Sequence, residues 1–161
     1  MTIETPQPED VPSIERVAID TGVFTSDEIH IVNEMLGAFF DPAPRDDHTF
    51  VIYRNGNPNA VTGFACYGPT PLTDRVWDLY WLCVDHAEQR HGIGGELLEK
   101  IEQDLSARHA RAIYLETSDS EAYAAARGFY ARHGYERLAD IADFYAPGEG
   151  KVIYRKVFDQ R

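Results

Sequence analysis

Three glycines stand close together in the segment Gln89–Gly95, and their surroundings suggest a chemical role. The residues before it, Trp77 to Asp85, are rich in aromatic and β-branched side chains, which is typical of a buried strand. After it, apolar residues recur at the spacing of one helical face: Ile93, Leu97, Leu98, Ile101 and Leu105. A helix N-terminus offers unpaired N–H groups and the positive end of the helix dipole, and glycine lets a ligand approach the backbone. The pattern therefore predicts an anion site of the kind that binds phosphate.

Two familiar glycine patterns for nucleotides do not fit this segment. A P-loop would end in Gly-Lys-Ser/Thr, whereas residues 94–96 read Gly-Gly-Glu. A dinucleotide fingerprint would have its third glycine where the chain has Leu97. The segment Gln89–Gly94 instead matches the pattern Gln/Arg-x-x-Gly-x-Gly/Ala. It resembles the pyrophosphate-binding loop of the GNAT superfamily of acyl-CoA-dependent acetyltransferases, where the loop follows the fourth strand and opens the third helix.

By this resemblance the loop would hold the pyrophosphate of acetyl-CoA, which would be the co-substrate. The loop residues so assigned are Gln89, Arg90, His91, Gly92, Ile93, Gly94 and Gly95. In the family, main-chain amides of the preceding strand bind pantetheine and polarise the thioester carbonyl. The corresponding residues here are Cys83 and Val84, together with their neighbour Leu82.

A general acid is needed to protonate the departing thiolate, and a phenol suits this task because its pKa of about 10 is close to that of an alkyl thiol. The family commonly places a tyrosine in the pattern Ala-x-x-x-Tyr-x-x-x-Gly-Phe/Tyr, and residues 126–135 fit it with Tyr130 as the acid. The alternative is that Tyr130 only packs in the core. One departure is Tyr123, which stands where the family often has a cofactor-binding asparagine. Ser118 or a backbone group could replace that contact.

Two carboxylates are candidates for the base that deprotonates the amine. Glu116 lies near the end of the strand after the helix, where the parallel strands of this fold splay apart, and its alternative role is that of a solvated strand-end residue. Asp78 could bind a cationic substrate, act as the base or cap its strand. Strand alternation places one set of residues on a single face: Asp78, Tyr80, Leu82 and Val84. The opposite face would hold Trp77, Leu79, Trp81 and Cys83.

A late segment with two aromatic residues completes the set of candidate positions. The stretch 141–150 is predicted to be a loop and contains Phe144 and Tyr145. In the family this loop borders the acceptor pocket, so these residues, together with Asp78 and Tyr80, are expected to bind the acceptor. The alternative is a hairpin whose aromatic side chains cover the edge of the sheet.

The rest of the chain predicts the elements that position these residues. The expected strands are 1–4, 48–54, 60–67, 77–85, 112–117, 135–139 and 151–158. The expected helices are 10–21, 26–40, 93–108 and 121–133, with Pro42 and Pro44 ending the second. This is the element order of the GNAT fold: an α/β (α+β) fold with a mixed central sheet of about seven strands, flanked by four helices on both faces. We expect a single domain over residues 1–161.

Composition narrows the function classes. Net charge is −12, from 27 acidic and 15 basic residues, which disfavours nucleic acid and anionic membranes as partners. No apolar run approaches the roughly 20 residues of a membrane span, and the first residues do not resemble a signal peptide, so a cytoplasmic location is the default expectation. Cys66 and Cys83 lie in apolar segments and are expected to be buried thiols. His86 and His91 lack a third ligand at zinc spacing, so no metal site is expected.

The sequence thus predicts an N-acetyltransferase that moves an acetyl group from acetyl-CoA to a primary amine of a small molecule or a protein by direct attack. One alternative is a CoA-binding regulatory domain without catalytic activity. Another is a nucleotide-binding α/β domain, which the glycine patterns disfavour. The identity of the acceptor and the length of the acyl chain stay open, and the resemblance leaves a homodimer open as well.

Overall fold

A computed structural model describes residues 1–41 and 47–158 of the chain. Its strands are β1 Thr2–Glu4, β2 Thr49–Arg54, β3 Gly63–Pro69, β4 Val76–Val84, β5 Ala112–Ser118, β6 Glu136–Ala146 and β7 Glu149–Val157. Its helices are α1 Val11–Asp20, α2 Ser26–Phe40, α3 Ile93–Ala107 and α4 Ala124–Arg132. Short 3₁₀ turns precede α1 and α4 and follow β4. The predicted order of strands and helices is confirmed.

The strands form one mixed seven-stranded sheet in the order β1-β2-β3-β4-β5-β7-β6. Every neighbouring pair is antiparallel except β4 and β5, which run parallel. These two strands pair at only three positions, and the last of them joins Asp78 to Tyr114. Beyond Asp78 the two strands separate, so the sheet opens in its middle.

Each face of the sheet has its own apolar core. One core packs α3 and the Tyr130 side of α4 against β2, β3, β4, β5 and β7. The other packs α1 and α2 against β2, β3 and part of β4, with Phe50 and Phe64 fully buried. The expected arrangement of helices on both faces is therefore confirmed, and the opening between β4 and β5 lies between two cores.

The predicted alternation of β4 is wrong in its second half. Cys66 of β3 pairs with Trp81, but the next residue, Tyr67, pairs with Leu79, so Tyr80 is an extra residue on β4. Such a β-bulge shifts the inward and outward positions of the residues that follow it. Leu79 and Leu82 consequently face the same core, whereas Trp81 faces the core of α1 and α2.

The predicted loop over 141–150 is also wrong, because β6 continues to Ala146 and turns directly into β7. All eleven positions of β6 are exposed or half-buried. A strand without a buried face lacks the apolar alternation by which strands are recognised.

Smaller differences concern the ends of elements. The strand β3 begins at Gly63 rather than at residue 60, and the first turn of the predicted fourth helix is 3₁₀. The helix α2 ends at Phe40 as expected, while the two prolines held responsible lie outside the described residues. None of the helices in the described ranges is long and apolar enough to cross a membrane.

Candidate active site

The separation of β4 from β5 opens a cleft of about 830 Å³. Its walls are formed by β4 and β5, the starts of α2 and α4, and the β6–β7 hairpin. Its walls carry the polar side chains of Glu28, Asp78, Tyr80, Glu116, Ser118, Tyr123, Tyr130, Tyr145 and Glu149. Because β4 has no pairing with β5 beyond Asp78, its next residues, Leu79 to Leu82, line this space.

The side chain of Tyr130 lines the cleft and is largely buried, with 9% of its surface exposed. It projects from α4 and packs against the rings of Phe129, Tyr135 and Tyr154 at centroid distances of 5.3, 5.7 and 6.1 Å. Burial raises the pKa of its phenol, with a smaller contribution from Cys83. A phenol is protonated at neutral pH even without this shift, so the hydroxyl of Tyr130 can act as a donor in the cleft.

Asp78 and Glu116 lie on the two strands that separate, one on each side of the opening. Asp78 is half-buried, and its pKa is raised first by this burial and then by the charge of Glu116. Glu116 is more exposed, and its carboxylate forms an ion pair with Lys151 Nζ at 2.8 Å. Lys151 in turn lies 4.2 Å from the centre of the Phe144 ring. Phe144 thus positions Lys151 and is not part of the cleft wall.

Ser118, at the end of β5, is buried and already engaged in hydrogen bonds. Its hydroxyl donates to Glu149 Oε1 at 2.7 Å and lies 2.9 Å from the hydroxyl of Ser120. Tyr123 lies nearby and donates to the carbonyl of Val23, in the connection between α1 and α2, at 3.3 Å. Burial, followed by the charges of Glu28 and Glu149, raises the pKa of Tyr123 to about 12. Both side chains therefore tie parts of the cleft wall together.

The wall on the α2 side is aromatic and acidic. Glu28 belongs to the capping box of this helix, in which its Oε1 accepts a hydrogen bond from the backbone N–H of Thr25 at 3.2 Å. The rings of Phe24 and Trp81 lie 5.2 Å apart, and the indole N–H of Trp81 points to the sulfur of Met35 at 3.1 Å. These contacts hold the wall in place.

The glycine segment opens α3 as expected. Gly92 is the N-cap, in the left-handed conformation with φ 82°, and no side chain caps the first turn. The exposed Arg90 also has a positive φ of 73°, and Gln89 holds the segment to β4 by donating to the carbonyl of Val84 at 3.3 Å. His91 lies 3.2 Å from Glu88. No N-cap side chain occupies the N–H groups of the first turn of α3, which leaves them available to an anion, although Glu96 places a carboxylate in the same turn.

The other two glycines of the segment serve packing. A Cβ on Gly94 would lie 3.3 Å from the Phe129 ring of α4 and 3.7 Å from Val84, and one on Gly95 would lie 3.1 Å from His133. The start of α3 therefore lies against α4 and against the end of β4. This proximity places the anion site beside the strand edge that faces the cleft.

The structure brings most of the candidate residues together, but not all. Those that line the cleft are Asp78, Tyr80, Leu82, Glu116, Ser118, Tyr123, Tyr130 and Tyr145. The Cys83 side chain is buried in the core of α1 and α2, so only its backbone can face a ligand. The sequence does not predict Glu28 and Glu149 as site residues, because the first lies at the start of a predicted helix and the second in the predicted loop 141–150. Within the described ranges, no three His, Cys, Asp or Glu side chains are grouped to hold a metal ion.

Comparisons with known proteins agree with this geometry. The family model "Acetyltransferase (GNAT) domain" matches residues 45–137. A structure from Desulfovibrio desulfuricans, assigned to the GNAT acetyltransferases, is 33% identical, with a TM-score of 0.88 over 97% of this chain and 98% of the other. No curated protein matches the chain.

Two more distant structures share the fold. An aminoglycoside 6′-N-acetyltransferase complexed with coenzyme A is 17% identical, with a TM-score of 0.75 over 100% of this chain and 99% of the other. The ribosomal-protein-S18-alanine N-acetyltransferase from Escherichia coli is 20% identical, with a TM-score of 0.77 over 99% and 95%. The matched family model and the 33% identity over nearly the whole chain show that this protein belongs to the GNAT acetyltransferase family.

Proposed function

We propose that the chain is an N-acetyltransferase that transfers an acetyl group from acetyl-CoA to a primary amine by direct attack. The observation that carries this proposal is the cleft between β4 and β5, which has a buried phenol in its wall and two carboxylates at its opening. The uncapped first turn of α3 lies beside the same strand edge and suits a pyrophosphate. The coenzyme A complex of a structural relative supports the choice of co-substrate.

Each group then has a defined task. The first turn of α3 would bind the pyrophosphate, and the unpaired edge of β4 up to Val84 would orient the pantetheine arm and its thioester carbonyl. Asp78 or Glu116 would take the proton from the attacking amine. Tyr130 would donate its hydroxyl proton to the sulfur that leaves. The position of Tyr130 in the cleft wall supports this role, because its hydroxyl can reach a thioester bound there.

Calorimetric titration of the purified protein with acetyl-CoA tests the proposal, with ATP and NAD as controls. We expect micromolar binding of acetyl-CoA alone, followed by release of free thiol when a primary amine is added. Absence of acetyl-CoA binding would refute the proposal. Binding without turnover over a broad set of amines would instead favour the regulatory CoA-binding domain.

A further inference from the structure

The cleft carries more acidic side chains than the acceptance of one amine requires. Four carboxylates line the cleft, and no lysine or arginine among the described residues does so. Glu116 is neutralised by its ion pair with Lys151. Asp78, Glu28 and Glu149 have no such partner among the ion pairs of the described chain. A single ammonium group would leave most of this negative charge uncompensated.

The carboxylates occupy two different places in the cleft. Asp78 and Glu116 flank the point where the strands separate, beside the proposed site of acetyl transfer. Glu28 and Glu149 come from the start of α2 and the start of β7. They are held by Thr25 and by Ser118, each through a contact to Oε1. The second pair is therefore positioned by its own hydrogen bonds, separately from the first.

Tyr145 joins the two places. Tyr145 lines the cleft together with Glu116, Glu28 and Glu149, and its pKa is raised by burial and then by the charges of these carboxylates. Aromatic side chains line the same cleft: Tyr80 is 37% exposed, and the rings of Phe24 and Trp81 form a tilted pair. Carboxylates together with aromatic faces are the surroundings that bind alkylammonium groups.

We propose that the acceptor is a small molecule that carries at least one further ammonium group in addition to the amine that is acetylated. This inference rests on the proposed acetyltransferase function. The reacting amine would lie at Asp78 and Glu116, and the second ammonium group would bind between Glu28 and Glu149. Such a substrate is a linear or cyclic polyamine, in contrast to a monoamine or the N-terminus of a neutral peptide.

A matched pair of acceptors tests this inference at saturating acetyl-CoA. 1,4-Diaminobutane and n-pentylamine have nearly the same length and differ in one terminal ammonium group. We expect kcat/KM to be at least about tenfold higher for the diamine, and the difference to shrink as the salt concentration rises, because the second contact is ionic.

Variants of the second pair of carboxylates locate the effect. Glu149→Gln and Glu28→Gln should lower the diamine-to-monoamine ratio of kcat/KM, and glutamine at 28 retains the capping box. Glu34→Gln is the matched control, because Glu34 lies on the same helix, is 68% exposed and does not line the cleft. This variant should retain the wild-type ratio.

The outcomes separate this inference from the proposed function. If acetyl-CoA binds and both amines react with equal kcat/KM, the inference is overturned while the acetyltransferase stands. Faster acetylation of a neutral peptide than of the diamine would overturn it in the same way, as would binding of acetyl-CoA with no diamine acetylated. If acetyl-CoA does not bind at all, the proposed function fails first and the inference fails with it.

Discussion

Two buried tyrosines stand side by side in the core below α4, and only one of them faces the cleft. Tyr130 and Tyr135 have ring centroids 5.7 Å apart, and burial raises the pKa of both phenols. Tyr130 lines the cleft, whereas the hydroxyl of Tyr135 is buried without a hydrogen-bond partner within the described chain. The same residue type in nearly the same surroundings therefore provides a matched comparison between the proposed catalytic role of Tyr130 and the packing role of Tyr135.

We expect Tyr130→Phe to lower kcat by roughly 10²-fold or more, the size of a general-acid contribution, and to leave the Kd of acetyl-CoA nearly unchanged. Tyr135→Phe removes an unpartnered buried hydroxyl, so we expect kcat to stay near the wild-type value and stability to be unchanged or higher. Steady-state kinetics and calorimetry measure both effects. Equal kcat values for the two variants would remove Tyr130 from the mechanism.

The pH dependence of kcat/KM tells the two candidate bases apart. A base must be ionised to accept a proton, and the raised pKa of Asp78 places its ionisation above the usual range of a carboxyl group. If Asp78 is the base, Asp78→Asn removes the acidic limb of the profile and lowers kcat/KM by roughly 10²-fold. Glu116→Gln should keep this limb but move it to lower pH, because the charge that raises the Asp78 pKa is gone. The reverse pattern would identify Glu116 as the base.

For individual residues, the sequence predicts those that belong to a motif with a fixed spacing. Tyr130 was found through its spacing from Ala126 and Gly134, and the structure places it in the cleft wall. Glu28 and Glu149 could not be found in this way, because their positions in the cleft depend on how α2 and the β6–β7 hairpin pack over the sheet. A local sequence pattern does not reveal which distant elements pack together in the folded chain.

At the start of α3, the glycines of one motif are needed for different physical reasons. Gly92 adopts φ 82°, a conformation that other residues reach only with strain, and a Cβ there would meet no atom within 4 Å. At Gly94 there is little room for a side chain, because the Phe129 ring lies against this position. The motif alone suggests that valine at Gly94 would block the amides and leave the fold intact. The structure instead indicates a clash between α3 and α4, so Gly94→Val is an unsuitable test of the anion site.

A pair of variants at Gly92 tests the anion site without that clash. Asparagine and aspartate are both tolerated in the left-handed conformation and both cap helices, but they differ by one negative charge. We expect Gly92→Asp to bind acetyl-CoA about tenfold more weakly than Gly92→Asn at low ionic strength, because the carboxylate repels the pyrophosphate. The difference should shrink at high salt. Equal calorimetric Kd values for the two folded variants would place the pyrophosphate elsewhere.

Elements with one buried face are predicted over their whole length. Periodicity locates α3 through five buried residues on one face, from Ile93 to Leu105. For β6, which has no buried face, only the first part (135–139) is predicted, and the extra residue at Tyr80 is not, because a bulge is defined by pairing with β3. Register between strands is a tertiary property, so the faces of the second half of β4 were assigned wrongly.

At the scale of the whole molecule, this bulge distributes the two tryptophans between the two cores. Trp77 precedes it and packs against the core of α3 and α4, while Trp81 follows it and packs against the core of α1 and α2. The residues are four apart on one strand and would otherwise face the same side of the sheet. Each tryptophan therefore reports on the integrity of a different core.

We propose that the two cores unfold as one cooperative unit, since they share the strands β2, β3 and β4. In Trp77→Phe the remaining indole reports on the core of α1 and α2, and in Trp81→Phe it reports on the other core. Within each variant, we expect fluorescence and far-UV circular dichroism to give the same urea midpoint. A fluorescence midpoint that precedes the circular dichroism midpoint in either variant would show that its core melts separately.

Acetyl-CoA extends this test, because the cleft is bounded by residues of both cores, such as Leu79 and Trp81. Ligand at 100 times its Kd stabilises the protein to which it binds by about 2.7 kcal/mol. With a urea m-value of about 1–3 kcal/mol/M, the midpoint should rise by roughly 1–3 M in both variants. A rise confined to Trp81→Phe, whose indole lies in the core next to the proposed pyrophosphate site, would show that ligand binding is not transmitted through the shared strands to α1 and α2.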